Sequence, residues 1–208
     1  MKQEKGLTLV EVMVAAALIA IIAILLYLPY RGTYRSYHTG SVETNIQENT
    51  RIAMKRIIKE LGAGMVIIPE DSNDAQDGSI NYGYTENHPY KIAIYLPDSS
   101  NPKAPGDIIT LYAALPENST NPLDPAQTSP ENLPLLYIRR YNATTLSWEN
   151  PECLIRPEND LKVIQLNFIP GGDNRDKVIV TLELTQREPL SGNWRSYKLT
   201  SSLKLGAR

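Results

Sequence analysis

Residues 5–11 read Lys5-Gly6-Leu7-Thr8-Leu9-Val10-Glu11, and an apolar run begins there and continues to Leu28. Of the 22 residues from Leu7 to Leu28, only Thr8 and Glu11 are polar. At about 1.5 Å of rise per residue, this stretch would form a helix roughly 33 Å long, which is enough to cross the hydrocarbon core of a bilayer. The sequence therefore predicts a membrane-spanning helix over residues 7–28.

Glu11 places a carboxylate inside this apolar helix, where an ionised side chain is unfavourable unless it finds a partner. The chain has no Lys, Arg or His between Lys5 and Arg31. Cleavage after Gly6 would give Leu7 a free α-amino group, and Glu11 follows Leu7 by four residues, about one helical turn. In an array of such helices, the carboxylate of one chain can pair with the amine of another, so that neither charge is left unpaired in lipid.

The sequence of residues 5–11 resembles the prepilin cleavage and methylation motif of type IV pilins and type II secretion pseudopilins. In that family a membrane-embedded peptidase cuts after the glycine and N-methylates the next residue, and the glutamate at the fifth mature position is used in filament assembly. The resemblance gives these roles to Gly6, Leu7 and Glu11, and it makes residues 1–6 the leader peptide. Leu7 replaces the phenylalanine that is usual at its position, but leucine is an accepted variant there.

The same resemblance implies a structural subunit rather than an enzyme. Its partners would be other pilin or pseudopilin subunits, the prepilin peptidase and an inner-membrane assembly platform. The subunit would first lie in the bacterial inner membrane with a periplasmic C-terminal domain, and later in a pilus or pseudopilus at the cell surface. A plain one-span anchor and a secretory signal peptide are the alternatives, although a signal peptide has a shorter apolar region followed by small residues at its cut site.

Composition argues against several other classes of function. The net charge is −2, which gives no indication of a nucleic-acid-binding surface. The single Cys153 cannot form an intramolecular disulfide, and we expect a buried thiol, with an intermolecular bridge as the alternative. The sequence contains no GxSxG, HExxH or GxxxxGK[ST] motif and only two histidines, so it predicts neither an enzyme nor a histidine-based zinc site.

Beyond the span, residues 29–64 are predicted to continue the helix in amphipathic form. Pro29 predicts a kink rather than a stop. The apolar face of the later part consists of Ile46, Ala53, Ile57 and Leu61. On the charged side Arg56 and Glu60 have the spacing of an ion pair within the helix, and Gly62 fits a C-cap.

Four tyrosines lie on one face of this helix just after the span, because their spacing is three, four and three residues. Three interpretations stay open for this stripe: an aromatic belt at the membrane interface, a packing surface against neighbouring subunits, or a charge-conducting aromatic stack. The four residues are Tyr27, Tyr30, Tyr34 and Tyr37.

Residues 65–208 change to a period of two, which predicts an antiparallel β-sheet domain packed on the later part of the helix. The fold class is therefore α+β, and the family resemblance implies that it is pilin-like. Two hairpins are expected around Asn142-Ala143 and around residues 171–174, and the alternation in 177–186 indicates a strand with one buried face. The proline-rich stretch 116–134 shows neither period and is predicted to be a solvated or disordered loop, or else a contact with a partner subunit or ligand.

Residues 45–64 resemble the same part of W-type minor pilins and J-type pseudopilins, where a Q-E-N-x-R-like stretch leads to an L-x-x-A-G-like helix end. The chain contains Gln47-Glu48-Asn49-Thr50-Arg51 and Leu61-Gly62-Ala63-Gly64. This resemblance implies a minor pilin that assembles or initiates a type IV pilus. The alternatives are a J-type pseudopilin at the tip of a secretion pseudopilus and a tip subunit that binds a surface or DNA.

No cofactor is expected, but two acidic loops have the composition of weak calcium sites. Asp71, Asp74 and Asp77 precede Gly78, and Asp173 and Asp176 follow a glycine pair. Calcium takes six to eight oxygen ligands, which backbone carbonyls could complete. Neither loop has the EF-hand spacing, and the simpler interpretation is that these aspartates form solvated turns.

Overall fold

The computed structural model describes residues 8–68, 89–97, 105–128, 132–155, 160–171 and 177–206. The chain divides into two compact units between Ser41 and Val42. One helix, α1 (Leu9–Gly62), includes residues of both units. Each unit is described by itself below.

The N-terminal unit is helical from Leu9 onward, and its apolar side chains are exposed through Leu28. This is the one helix among the described residues that is long and apolar enough to cross a membrane. Exposed apolar side chains on every face of a helix are typical of a lipid-facing segment. Pro29 lies inside α1, so it does not end the helix, as predicted.

In the C-terminal unit, α1 buries one face under the sheets. The buried positions recur at intervals of three and four residues, which is the spacing of one helical face. The buried residues are Val42, Ile46, Thr50, Ala53, Met54, Ile57 and Leu61. The predicted apolar face is therefore confirmed. Thr50 is the polar member, and its hydroxyl donates to the Ile46 carbonyl at 2.6 Å within the helix.

The strands form two antiparallel sheets rather than the single sheet that the sequence analysis suggested. The first sheet has the order β1-β2-β3-β4-β5, with β6 also paired to β4, and the second has the order β7-β8-β9. The strands of the first sheet are β1 (Val66–Ile68), β2 (Lys91–Pro97), β3 (Pro105–Ala114), β4 (Leu135–Asn142), β5 (Ser147–Trp148) and β6 (Glu152–Cys153). The strands of the second are β7 (Leu161–Gly171), β8 (Lys177–Arg187) and β9 (Trp194–Lys204).

The main core lies between α1 and one face of each sheet. Helix residues such as Ile57 and Leu61 pack in the same apolar cluster as Leu111 of the first sheet and Val180 of the second. Along β8 the buried residues Val178, Val180, Leu182 and Leu184 confirm the alternation expected from the sequence. The α+β class and the antiparallel domain are thus as predicted.

The opposite face of the first sheet carries a smaller apolar cluster that includes Tyr112, Tyr137 and Tyr141. The described part of the proline-rich segment, 116–128 and 132–134, lies close to this region. The Tyr112 hydroxyl donates to the Ser119 carbonyl at 2.7 Å, and the Leu123 amide donates to the Ala113 carbonyl at 2.7 Å.

The segment also contains two short 3₁₀ helices, Pro116–Asn118 and Pro125–Gln127, and the Asp124 side chain caps the second. Pro125 and Leu133 are buried. The expectation of a stretch without helical structure is therefore corrected for its described residues, because prolines that lack helix or strand periodicity can still begin 3₁₀ turns. Contact of this segment with a partner or ligand stays a prediction.

Candidate assembly site at the start of the helix

The candidate site residues fall at and before the start of α1. Gly6 and Leu7, the expected cleavage and methylation positions, lie outside the described residues. Thr8 and Glu11 are described, and so is Pro29 further along the helix. The geometry of the site is therefore that of Thr8 and Glu11.

Thr8 and Glu11 close the first turn of α1 with three hydrogen bonds. The Thr8 backbone N–H and the Thr8 hydroxyl both donate to Glu11 Oε2 at 2.9 Å. The Glu11 backbone N–H lies 3.3 Å from the Thr8 hydroxyl oxygen, which accepts its hydrogen. This reciprocal arrangement is a capping box, in which a threonine and a glutamate three residues later satisfy amide groups that the helix itself leaves open.

The sequence analysis expected Glu11 to find its partner on another chain. The capping box shows that Glu11 already has hydrogen-bond partners within its own chain. Its hydrogen bonds are supplied locally, and they fix the carboxylate at the positive end of the helix dipole. Within the part of the chain that the structure describes, Glu11 forms no ion pair. Among the described residues, the site therefore presents an anchored carboxylate without a neighbouring cation.

Thr8 is the capping residue of the site that the sequence analysis did not single out. The signal was present, since Thr8-x-x-Glu11 directly before an apolar run is the sequence signature of a capping box. Thr8 also lies within the prepilin-like motif, but the resemblance assigns roles to Leu7 and Glu11 and none to Thr8.

The tyrosine stripe forms a chain of ring contacts along the N-terminal unit. Tyr30 and Tyr34 stack with ring centroids 6.2 Å apart, and Tyr34 meets His38 edge-on at 4.4 Å. Tyr37 also meets His38 edge-on, at 5.9 Å. All the tyrosines of the stripe are exposed. The stripe is thus an accessible aromatic face, which fits both the membrane-interface and the subunit-packing interpretations.

Ion pairs join the charged side of α1 to the first sheet. Arg56 contacts Glu152 at 2.6 Å, and Glu60 contacts Arg140 at 2.9 Å. The predicted pair between Arg56 and Glu60 is therefore wrong, because each of them bonds to the sheet instead. Such partly exposed ion pairs contribute little to the free energy of folding. Their main effect is to fix the orientation of this part of α1 on the first sheet.

Cys153 is half-buried, and its thiol donates to the Ile155 carbonyl at 2.9 Å. Burial raises the pKa of the Cys153 thiol above its ordinary value. Since the thiolate is the reactive form, the raised pKa lowers the reactivity of this thiol. The expected buried thiol agrees with this environment better than an intermolecular bridge does.

The aspartates of both candidate calcium loops lie outside the described residues. Among the residues that are described, no group of three or more His, Cys, Asp or Glu side chains is arranged to hold a metal ion. Calcium binding therefore stays a prediction for the two loops.

Comparison with known proteins agrees with the geometry at the start of α1. The prokaryotic N-terminal methylation motif matches residues 1–27. No curated protein and no solved structure matches the chain. Proteins with this motif are structural rather than catalytic, assemble with other pilin subunits and are processed by prepilin peptidase. The motif, the exposed apolar helix and the α+β architecture together support a type IV pilin-like or pseudopilin-like prepilin.

Proposed function

We propose that the chain is a minor pilin, a structural subunit that assembles or initiates a type IV pilus. Prepilin peptidase would cut it between Gly6 and Leu7 and N-methylate Leu7. The observation that carries the proposal is the methylation motif at residues 1–27, which leads into an exposed apolar helix. The resemblance of residues 45–64 to W-type minor pilins supports the finer assignment.

Before assembly, the apolar helix would hold the subunit in the inner membrane with its sheet domain in the periplasm. The bonds from Thr8 would satisfy the oxygens of Glu11 there. They bring no positive charge, so the carboxylate would remain unneutralised in a medium of low dielectric constant. The capping box would thus keep the first turn of the helix formed, and the negative charge of Glu11 would remain available to pair with a cation.

Cleavage would supply the missing cation as the α-amino group of Leu7. In the filament, the amine of one subunit would pair with Glu11 of its neighbour, and the apolar helices would pack against each other. Methylation of Leu7 would leave the amine basic. An inner-membrane assembly platform would extract the subunits from the bilayer into this array.

Deletion of the gene in its host tests the assignment to a pilus. A minor pilin predicts loss or strong reduction of surface pili with secretion unchanged, counted by electron microscopy and by analysis of secreted proteins. The opposite result, intact pili with lost secretion, would assign the chain to the J-type pseudopilins. A strain with both functions intact would contradict the proposal, and re-expression of the intact chain is the control.

A further inference from the structure

The last strand, β9, forms a long open edge of the second sheet. It has 11 residues and pairs with β8 in an unbroken register. Within the described part of the chain, no strand pairs with its other side, and no backbone hydrogen bond joins residues 194–203 to an element other than β8. An open edge presents rows of backbone N–H and C=O groups that another strand can bind.

The turn between β8 and β9 shows which backbone groups of β9 point away from β8. The Glu188 amide donates to the Asn193 carbonyl at 2.8 Å, so the backbone of Asn193 faces β8. Because bonded and non-bonded residues alternate along an antiparallel pair, the odd-numbered residues of β9 also face β8. The N–H and C=O groups of the even-numbered residues therefore point to the open side, among them those of Ser196, Lys198 and Ser202.

The other outer strands of the described sheets are short or covered. β1 has three residues, and β5 and β6 have two each. The register of β7 shifts between Val163 and Gln165, and the Val163 amide donates to the Pro134 carbonyl at 2.8 Å. Short strands, irregular strands and covering loops all prevent pairing with another chain, whereas β9 is long and regular and contains no proline.

The charges of β9 disfavour a second copy of the chain as its partner. The strand contains Arg195, Lys198 and Lys204 and no acidic residue. Pairing with another β9 would bring like charges together, which is unfavourable across a strand pair. Arg195 has the Glu43 carboxylate at 3.8 Å, but Lys198 donates to the neutral Gln165 side chain at 2.6 Å. A strand with an acidic residue near Lys198 therefore suits this edge.

The inner face of β9 is incompletely covered. Tyr197, Leu199 and Leu203 pack against the main core but stay partly exposed, whereas the inward-facing apolar residues of β8 are fully buried. A cavity of about 310 Å³ lies at the start of the strand, and its walls include Gln47 of α1 together with Ser196 and Tyr197. A strand added to β9 would place every second side chain over this face.

We propose that β9 binds an extended strand of a different pilin-like subunit. The added strand would bond to the outward N–H and C=O groups of β9 and would lengthen the second sheet by one strand. Its residue opposite Lys198 would be acidic, and its residues opposite Tyr197 and Leu199 would be apolar, because side chains alternate between the two faces. The proposal rests on the pilin function proposed above, to which it adds the chemistry of the partner.

A contact of this kind suits a minor subunit. Because pairing of β9 with a second copy is unfavourable, the edge joins the chain to one different neighbour and does not build a repeating array of this chain.

Photocross-linking of the full chain in its host tests the contact. Benzoylphenylalanine is introduced at position 202, which is exposed on β9. Ultraviolet light should give an adduct with another protein that carries the methylation motif, and peptide mass spectrometry should place the cross-link in a segment of the partner that contains Asp or Glu. Position 144 is the control, since Thr144 is exposed on another turn of the same unit, and it should give at least about tenfold less of this adduct.

Two substitutions in the chain with benzoylphenylalanine at position 202 test the backbone bonds. Ser196→Pro removes an outward N–H without removing a bond to β8, so it should lower the yield of the adduct about tenfold or more. Ser196→Thr keeps this N–H and should leave the yield unchanged.

A second pair of substitutions tests the acidic partner. Lys198→Glu should lower the yield of the adduct about tenfold by repelling the partner's carboxylate. Lys55→Glu makes the same change of charge at an exposed residue of α1 and should leave the yield unchanged.

The proposal is overturned if the adduct has twice the mass of the chain, if it contains lipid, or if no adduct forms. It is also overturned if position 144 gives as much adduct, if Ser196→Pro and Ser196→Thr behave alike, or if Lys198→Glu has no effect. Processing of residues 1–6 is measured in the same samples. A processed chain without the adduct removes only this contact, whereas an unprocessed chain removes the pilin function itself.

Discussion

The Glu11 side chain has two features. It forms hydrogen bonds with Thr8, and it carries a negative charge that these bonds to a neutral residue do not compensate. The distinction matters because a substitution by alanine removes both features at once. Thr8 contributes only to the hydrogen-bond network and carries no charge: its amide and its hydroxyl donate to Glu11 Oε2, and its hydroxyl oxygen accepts from the Glu11 amide. Variants of the two residues therefore separate helix capping from charge pairing.

Glu11→Gln should be processed normally but should enter filaments at least about tenfold less than the unaltered chain. Glutamine can replace glutamate in a capping box, so the helix start is kept while the negative charge is lost. Incorporation is measured by immunoblot of sheared pili against the membrane fraction.

Thr8→Ala is the matched control for this experiment. It removes the hydroxyl bonds but keeps the carboxylate, so incorporation should stay close to that of the unaltered chain. The opposite result would be normal assembly of Glu11→Gln and failed assembly of Thr8→Ala. It would show that the site acts by capping the helix and not by pairing charges.

At the scale of elements, α1 shows which features a sequence can reveal. Its buried face in the C-terminal unit follows from the spacing of Ile46, Ala53, Ile57 and Leu61, because the period of a helix is local. The alternation along β8 is local in the same sense. The partners of Arg56 and Glu60 are not local, since they lie on β4 and β6, and the sequence spacing suggested a wrong pair.

The division of the strands into two sheets could also not be predicted from the sequence. A long strand such as β8 could be recognised from its alternation, but the neighbour of a strand depends on contacts between distant residues. The short strand β6 has only two residues, too few to show a period. At the candidate site, the charge of Glu11 was recognised from its apolar surroundings, whereas its bonds to Thr8 required the geometry of the helix start.

Ile57→Ala should lower the free energy of unfolding of the C-terminal unit by about 2–5 kcal/mol, because it removes a fully buried side chain between α1 and the sheets. Ile52→Ala is the control on the same helix, and since Ile52 is 53 % exposed it should change this free energy by about 0.5 kcal/mol or less. Urea unfolding of the full chain in detergent micelles, followed by tryptophan fluorescence, measures both. Equal effects of the two substitutions would contradict the assigned helix face.

At the scale of the whole molecule, two units with different surroundings are connected by one helix. The N-terminal unit exposes apolar side chains that require lipid or other helices, and the C-terminal unit has its own core. This division suits a subunit that is stored in a membrane and later packed in a fibre. The uncut chain supplies the carboxylate, the apolar helix and the sheet domain, and cleavage would supply the α-amino group at Leu7.

The most direct test of this account is mass spectrometry of the N-terminus of the protein isolated from its host membrane. The account predicts a chain that begins at Leu7 and carries one methyl group on its α-amino nitrogen, and a Gly6→Val variant that retains residues 1–6. A protein that still begins at Met1 in cells that process their other prepilins would contradict the account, because the α-amino group of Leu7 that Glu11 is proposed to pair with would not exist.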